Sequence, residues 1–258
     1  MRALIAGRGR LPELVAEAGP VLVCALEGQG PERLSPALTF RLEHLGTFLE
    51  DLSHRGVTEI CLAGAIDRPG FDPAGLDAAT APLVPVLAKA IHSGDDGALR
   101  AIIELLEARG IGVMGAHEIV PDLVAQAGVL AGQIDPQAEA DAARGMALLD
   151  TLAPLDVGQA CVAGAGQILG IEAAGGTAWM LATLPDTPQR AEGLLVKAAK
   201  PGQDRRADLP AIGPDTVAQA AEAGLRGIVL RAGDVMILDR PEVIAAAKAA
   251  NLLLWARA

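Results

Sequence analysis

Short apolar runs and stretches of helical periodicity alternate along the first half of the chain. Residues 3–6, 21–25, 59–63 and 111–114 are runs of strand length, each closed by a turn residue or a polar segment. Between them, 12–17, 46–56, 83–91 and 97–108 repeat apolar positions at the spacing of a helix face. Strands alternating with helices predict a parallel, doubly wound sheet. The turn-rich run 131–136 reads as a boundary. The first domain is therefore expected over 1–134 and is Rossmann-like α/β, followed by a smaller α+β domain over 135–258.

The second half has a different pattern. Apolar stretches at 159–163 and 167–172 flank Gly164-Ala165-Gly166, a hairpin signal. A helix is expected over 177–184, then a strand over 193–197. Gly213-Pro214-Asp215 opens a helix reaching about 223, with proline preset for a first turn and aspartate suited to capping. A second hairpin is expected from 228–231 and 235–239, then a helix over 241–250 and a strand over 252–255. No internal repeat stands out.

Composition narrows the picture. The 258 residues are 51% hydrophobic, yet only 2% aromatic with no Tyr, so the core must be built from Ala, Val, Leu and Ile. That suits buried parallel strands under Ala-rich helices. A net charge of -11 and the shortage of aromatics argue against nucleic-acid binding. Cys24, Cys61 and Cys161 lie far apart in apolar runs and read as core residues of a reducing compartment. No stretch has the length of a membrane span, and the start carries no leader pattern. The expectation is a soluble cytoplasmic protein.

Candidate chemistry concentrates in the segment 196–213. Lys197, Lys200, Arg205 and Arg206 fall within ten residues of an acidic chain, and Asp208 follows them. Gathered cations need an anionic partner, and a carboxylate beside them suits phosphate chemistry, where it binds metal or orients water. A surface loop whose charges pair locally is the plain alternative. Gly7-Arg8-Gly9-Arg10-Leu11-Pro12 occupies a strand-to-helix turn but lacks the dinucleotide fingerprint, and a tight turn alone accounts for its glycines equally well. Gly64 to Pro69 follows the third strand, at the strand end where open α/β sheets take ligands. Ser93-Gly94-Asp95-Asp96 reads mainly as helix capping, and His117 in Gly115-Ala116-His117-Glu118 is a lone histidine with weak meaning. No HExxH, Walker A loop, nucleophile elbow or multi-histidine cluster is present.

These segments together resemble a known family. IAGxGxLP at 5–12, AGxxxRP at 63–69, GDD at 94–96, GAHE at 115–118, LDxGQ at 155–159 and KxxKPxQxxRxDxPxIG at 197–213 match, in order, the LpxI-type UDP-2,3-diacylglucosamine pyrophosphatases of lipid A biosynthesis. The resemblance covers essentially the whole chain. It implies hydrolysis of UDP-2,3-diacylglucosamine to UMP and 2,3-diacylglucosamine 1-phosphate (lipid X), with a divalent cation, typically Mg2+. It further implies a Rossmann-like first domain joined to a distinct second one. On that pattern Asp208 is the catalytic and metal-binding carboxylate. Gly9, Arg10, Leu11, Gly64, Arg68, Phe71, Gln159, Thr177, Lys197, Lys200, Gln203 and Arg206 are the substrate-binding residues. The partner it implies is the UDP-linked diacyl sugar, with no nucleic acid and at most peripheral contact with the inner face of the membrane; a homo-oligomer is compatible with it.

One departure stands out. Gly175-Gly176-Thr177-Ala178 replaces a family Glu-Gly-Thr-Asp, so two carboxylates are missing near the expected site. That motivates one rival, an impaired relative that binds a lipid phosphosugar. A second rival, a nicotinamide oxidoreductase, is disfavoured by the absent fingerprint.

Overall fold

The computed structural model describes residues 1–67, 70–92 and 95–258, with the backbone alone taken at 91, 92, 95 and 96. Two compact units result. The first is Met1–Pro121 with Asp204–Asp208, and the second is Asp122–Gln203 with Leu209–Ala258.

The first unit is a five-stranded parallel sheet. Its elements are β1 (Arg2–Ala6), α1 (Leu11–Glu17), β2 (Leu22–Leu26), β3 (Leu38–Phe40), α2 (Leu45–His54), β4 (Glu59–Ala63), α3 (Val84–His92), α4 (Asp95–Glu107), β5 (Gly112–Met114) and α5 (Ala116–Ile119). Strand order is β3-β2-β1-β4-β5. Central β1 is Ala-Leu-Ile-Ala with both faces covered, as a strand flanked by parallel neighbours requires. One face, with Ala3, Ile5, Ile60 and Val113, packs under Phe48 and Leu52 of α2, Leu87 of α3 and Ile103 and Leu106 of α4. On this face Phe40 of the edge strand stacks on Phe48 with centroids 4.0 Å apart. Strand β3 went unread in the sequence because its three residues are too few to show a period.

The second unit contains β6 (Gly128–Ala131), α6 (Pro136–Leu152), β7 (Ala160–Gly164), β8 (Gln167–Ile171), α7 (Gly176–Ala182), β9 (Leu194–Lys197), β10 (Ala211–Ile212), α8 (Pro214–Glu222), β11 (Gly227–Arg231), β12 (Met236–Ile237), α9 (Arg240–Ala249) and β13 (Leu253–Arg257). Six strands form one mixed sheet, β6-β13-β11-β9-β7-β8. Its two faces separate with the period of two that strands impose. Ala160, Val162, Leu195, Ile228, Leu230 and Leu254 face one core, while Cys161, Leu194, Val196, Val229 and Leu253 face the other. Helix α6 covers the second face through small residues. At Gly145 an added Cβ would come within 2.6 Å of Val196 Cγ2, so helix and strand approach closely.

Two expectations need revision here, and one helix was not anticipated. The hairpin expected from 228–231 and 235–239 does not form. Strand β11 is buried on both faces and pairs in parallel with β9 and β13, while β12 pairs with β10 in a separate two-stranded sheet. The run expected as a boundary at 131–136 instead ends a strand, because β6 pairs antiparallel with β13 and joins the second sheet. Helix α6 was missed altogether. Its start is well marked, with the Asp135 carboxylate accepting from Ala138 N at 2.7 Å and Pro136 in the first turn. Its buried face, Ala138, Asp141, Ala142, Gly145, Met146 and Leu149, does keep helical spacing, but small residues and one acid fill most of it, so the apolar contrast is weak. The hairpin over 159–163 and 167–172 is present as β7 and β8.

Candidate functional site

In the first unit, β1 and β4 lie side by side where the strand order reverses, so the loops leaving their carboxyl ends meet at the topological switch point. Gly7 N donates to Ala63 O at 2.8 Å, and Arg8 and Ala65 exchange two backbone bonds of 2.9 Å. Gly64 adopts φ +92°, and a Cβ there would sit 2.7 Å from Arg8 O and from Pro12 Cγ. Only glycine fits. Gly9, at φ +94°, donates its N–H to Glu32 Oε2 at 3.1 Å. That bond is the chief cause holding the Glu32 carboxyl below its usual range. Arg10 bonds Glu13 and Glu17, each at 2.7 Å, and Arg8 bonds Asp67 at 2.7 Å. Leu11 opens α1 half-buried, and Phe71 packs against the α2–α4 core. Arg68, with Pro69, lies outside the described residues, as do Ser93, Gly94 and the side chains of Asp95 and Asp96.

The segment Asp204–Asp208 also belongs to this unit, with Ala207 against the α2–α4 core. Arg206 is held firmly. Its Nη2 reaches Asp204 Oδ2 at 2.7 Å, its Nε reaches Asp204 Oδ1 at 3.0 Å, and its Nη1 reaches Glu107 Oε1 at 2.5 Å. The two carboxylates raise the guanidinium pKa, and Arg206 in turn depresses that of Asp204. Asp208 is half-buried, its N–H donating to Asp204 O at 3.3 Å, so the turn made by Asp204 sets its direction. Against the same segment stands Gly115, where a Cβ would meet the His117 ring and come within 3.2 Å of Arg206 Cα.

The second unit supplies the other half of the basic loop. Lys197 ends β9, and its Nζ donates to Thr177 Oγ1 at 3.2 Å. Thr177, in the first turn of α7, donates its single hydroxyl proton to Glu172 Oε1 at 3.0 Å. The other carboxylate oxygen of Glu172 accepts the N–H of Gln159 at 3.1 Å. Gly158 allows this, for at φ +50° its Cβ position is taken by the Glu172 carbonyl. Lys200 pairs with Asp156, and the Gln203 side chain, only 9% exposed, accepts from Lys200 N at 3.0 Å, so it braces the loop from within. At the departure noted above, a Cβ on Gly175 would lie 2.8 Å from the Trp179 ring, and Gly176 adopts φ +76°.

Comparison with known proteins gives this arrangement a family. Residues 1–123 match the LpxI N-terminal domain and residues 126–255 the LpxI C-terminal domain. The UDP-2,3-diacylglucosamine pyrophosphatase LpxI of Caulobacter vibrioides is 36% identical over 260 residues, covering 95% of this chain and 92% of that protein. The chain belongs to the LpxI family. Its architecture is accordingly a parallel-sheet α/β unit followed by a second unit with its own sheet.

Within this LpxI chain the expected residues fall into three groups. Gly9, Arg10, Leu11 and Gly64 come together on the β1 and β4 loops; Gln159, Thr177 and Lys197 share one hydrogen-bond network; and Lys200 and Gln203 brace the basic loop. Arg206 is held by Asp204 and Glu107, and these bonds engage three of its five N–H donors. Among the described residues no group of three or more His, Cys, Asp or Glu side chains is placed to hold a metal. A site with a single protein carboxylate would leave the other ligand positions of a magnesium ion to water and substrate phosphate, and Asp208 is the carboxylate the resemblance assigns to it. Sequence reading missed Glu172. Its signal was a carboxylate closing the 167–172 strand just ahead of the Gly-Gly-Thr turn.

Proposed function

We propose that this protein hydrolyses the diphosphate of UDP-2,3-diacylglucosamine, adding water across the anhydride to release UMP and 2,3-diacylglucosamine 1-phosphate. The observation that carries the reading is the 36% identity with the Caulobacter enzyme across 95% of the chain, both halves of the basic loop included. Lys197 suits binding of anionic phosphate oxygens, because it ends a buried strand and is held by a hydroxyl. Asp208 is the carboxylate that holds a divalent cation or orients the attacking water. Magnesium, when bound, supplies charge neutralisation at the phosphate oxygens. Gly9 and Gly64 let the backbone of the β1 and β4 loops approach the nucleotide closely. No described helix is long and apolar enough to cross a membrane.

UMP release from the UDP-linked substrate with magnesium, measured beside Asp208→Ala and after chelation, tests the reading. We expect release by the wild type and a loss of at least about a hundredfold in the variant and without metal. A second reading, a binder of lipid phosphosugars, draws on Gly175, where the Trp179 ring stands in the place a side chain would take. Retained lipid without UMP release would select it.

A further inference from the structure

The sequence motifs leave Glu172 without a role, yet it is the hub of the second unit's polar network. Both its oxygens are engaged, Oε1 by the Thr177 hydroxyl at 3.0 Å and Oε2 by the Gln159 N–H at 3.1 Å. Its own N–H donates to Ala160 O at 2.9 Å, which fixes its backbone on β7. A hydroxyl has one proton and two lone pairs. With the proton committed to an acceptor-only carboxylate, a lone pair of Thr177 Oγ1 is left for Lys197 Nζ, which donates to it at 3.2 Å. Oriented hydrogen bonds of this kind polarise one another, so the carboxylate's charge reaches the ammonium through the hydroxyl.

We infer that Glu172 is a positioning residue for the pyrophosphatase reaction: it sets the Thr177 hydroxyl and, through it, the Lys197 ammonium that receives the substrate's anionic oxygens. The inference deepens the proposed function and rests on it. Glu172 supplies the negative charge that Thr177 contacts, so the network stays intact with Gly175 and Ala178 in place. Glutamine at 172 keeps the size but loses the charge, and with one oxygen in place of two it can accept from Thr177 or from Gln159 N but not from both, so the hydroxyl is no longer held by an acceptor-only group.

The test is a double-mutant cycle on UMP release, with Glu172→Gln and Thr177→Val alone and combined, and thermal midpoints recorded for each. Each single change should lower kcat/KM about tenfold, mainly through KM, with midpoints near the wild type. The double variant should be no worse than Thr177→Val alone, because both break one chain of bonds. Thr177→Ser, which keeps the hydroxyl, should stay within about threefold of the wild type. Glu172→Gln at wild-type kcat/KM, or losses that multiply in the double variant, would overturn the inference while leaving the hydrolase reading intact. If Glu172→Gln does not fold, the serine and valine variants decide, and equal losses in both overturn it. A wild type that releases no UMP overturns both.

Discussion

The two units assemble their candidate ligand contacts from different material. At the switch point of the first, the contacts are backbone. Gly7 and Gly64 let the β1 and β4 loops lie against each other, and the nearby charged side chains are paired among themselves. In the second, the contacts are side chains strung from a strand end, with Glu172, Thr177 and Lys197 in series. A backbone site is defined by where atoms are forbidden, so substitution there acts on folding. A side-chain chain is defined by which proton goes where, so substitution there acts on chemistry.

The largest expected contrast is between Gly64→Ala and Lys197→Met. Alanine at 64 must adopt φ +92° and put its methyl 2.7 Å from Arg8 O and Pro12 Cγ. Strain and overpacking together should cost about 3 kcal/mol, read as a lower urea midpoint at unchanged slope. Lys197→Met removes a charge at the end of a buried strand while keeping its apolar stem, and should lower kcat/KM by about a hundredfold with little change in stability. If Gly64→Ala proves neutral in stability, or Lys197→Met unfolds the protein, the division between the two regions is wrong.

Arg206→Ala sharpens the comparison, because the same loop contributes to both units. Its guanidinium bridges Asp204 and Glu107, and removing it leaves two carboxylates without their cation. The expected loss is about 1 kcal/mol of stability, as for a partly exposed ion-pair network. Turnover should fall much less than in Lys197→Met. A loss of turnover as large as in Lys197→Met would instead place Arg206 with Lys197 among the phosphate-binding residues.

How far the sequence disclosed all this depended on the range over which each signal acts. Strand β4 was legible to the residue, since an apolar run closed by Gly64 has sharp ends. Helices α8 and α9 announced themselves with Pro214 and Pro241 in their first turns. The β11 strand was seen but mispaired, because pairing partners are chosen by burial on both faces rather than by the nearest turn. In the site, the basic loop stood out as a run of charge against an acidic background. Glu172 did not, for its partners are Gln159, thirteen residues earlier, and Thr177, which in turn accepts from a lysine twenty residues further on. No local pattern carries such a relay, and the alternation of β8 gave no hint that the residue after it was more than a strand end.

The smallest effect expected lies at His117, beside the segment that carries Asp208. Its Nδ1 is buried with no hydrogen-bond partner among the described residues. Burial pushes its pKa below 6.5; Arg205 lowers it further, and Glu118 opposes both. The folded state therefore releases this proton more readily than the unfolded chain. As pH falls below about 6.5, the unfolded state takes up the proton first, and stability declines until the folded-state pKa is passed. Carboxylates held low, such as Asp204 and Glu32, contribute a loss of the same sign, but below their ordinary values of 3.8 and 4.5. Between pH 5 and 7 the slope belongs to histidine. Urea midpoints followed across that range should fall toward acid in the wild type and less steeply in His117→Leu. Equal slopes would show that the ring finds a partner on protonation, and the packing of Gly115 and Arg206 against it would then be all that His117 provides.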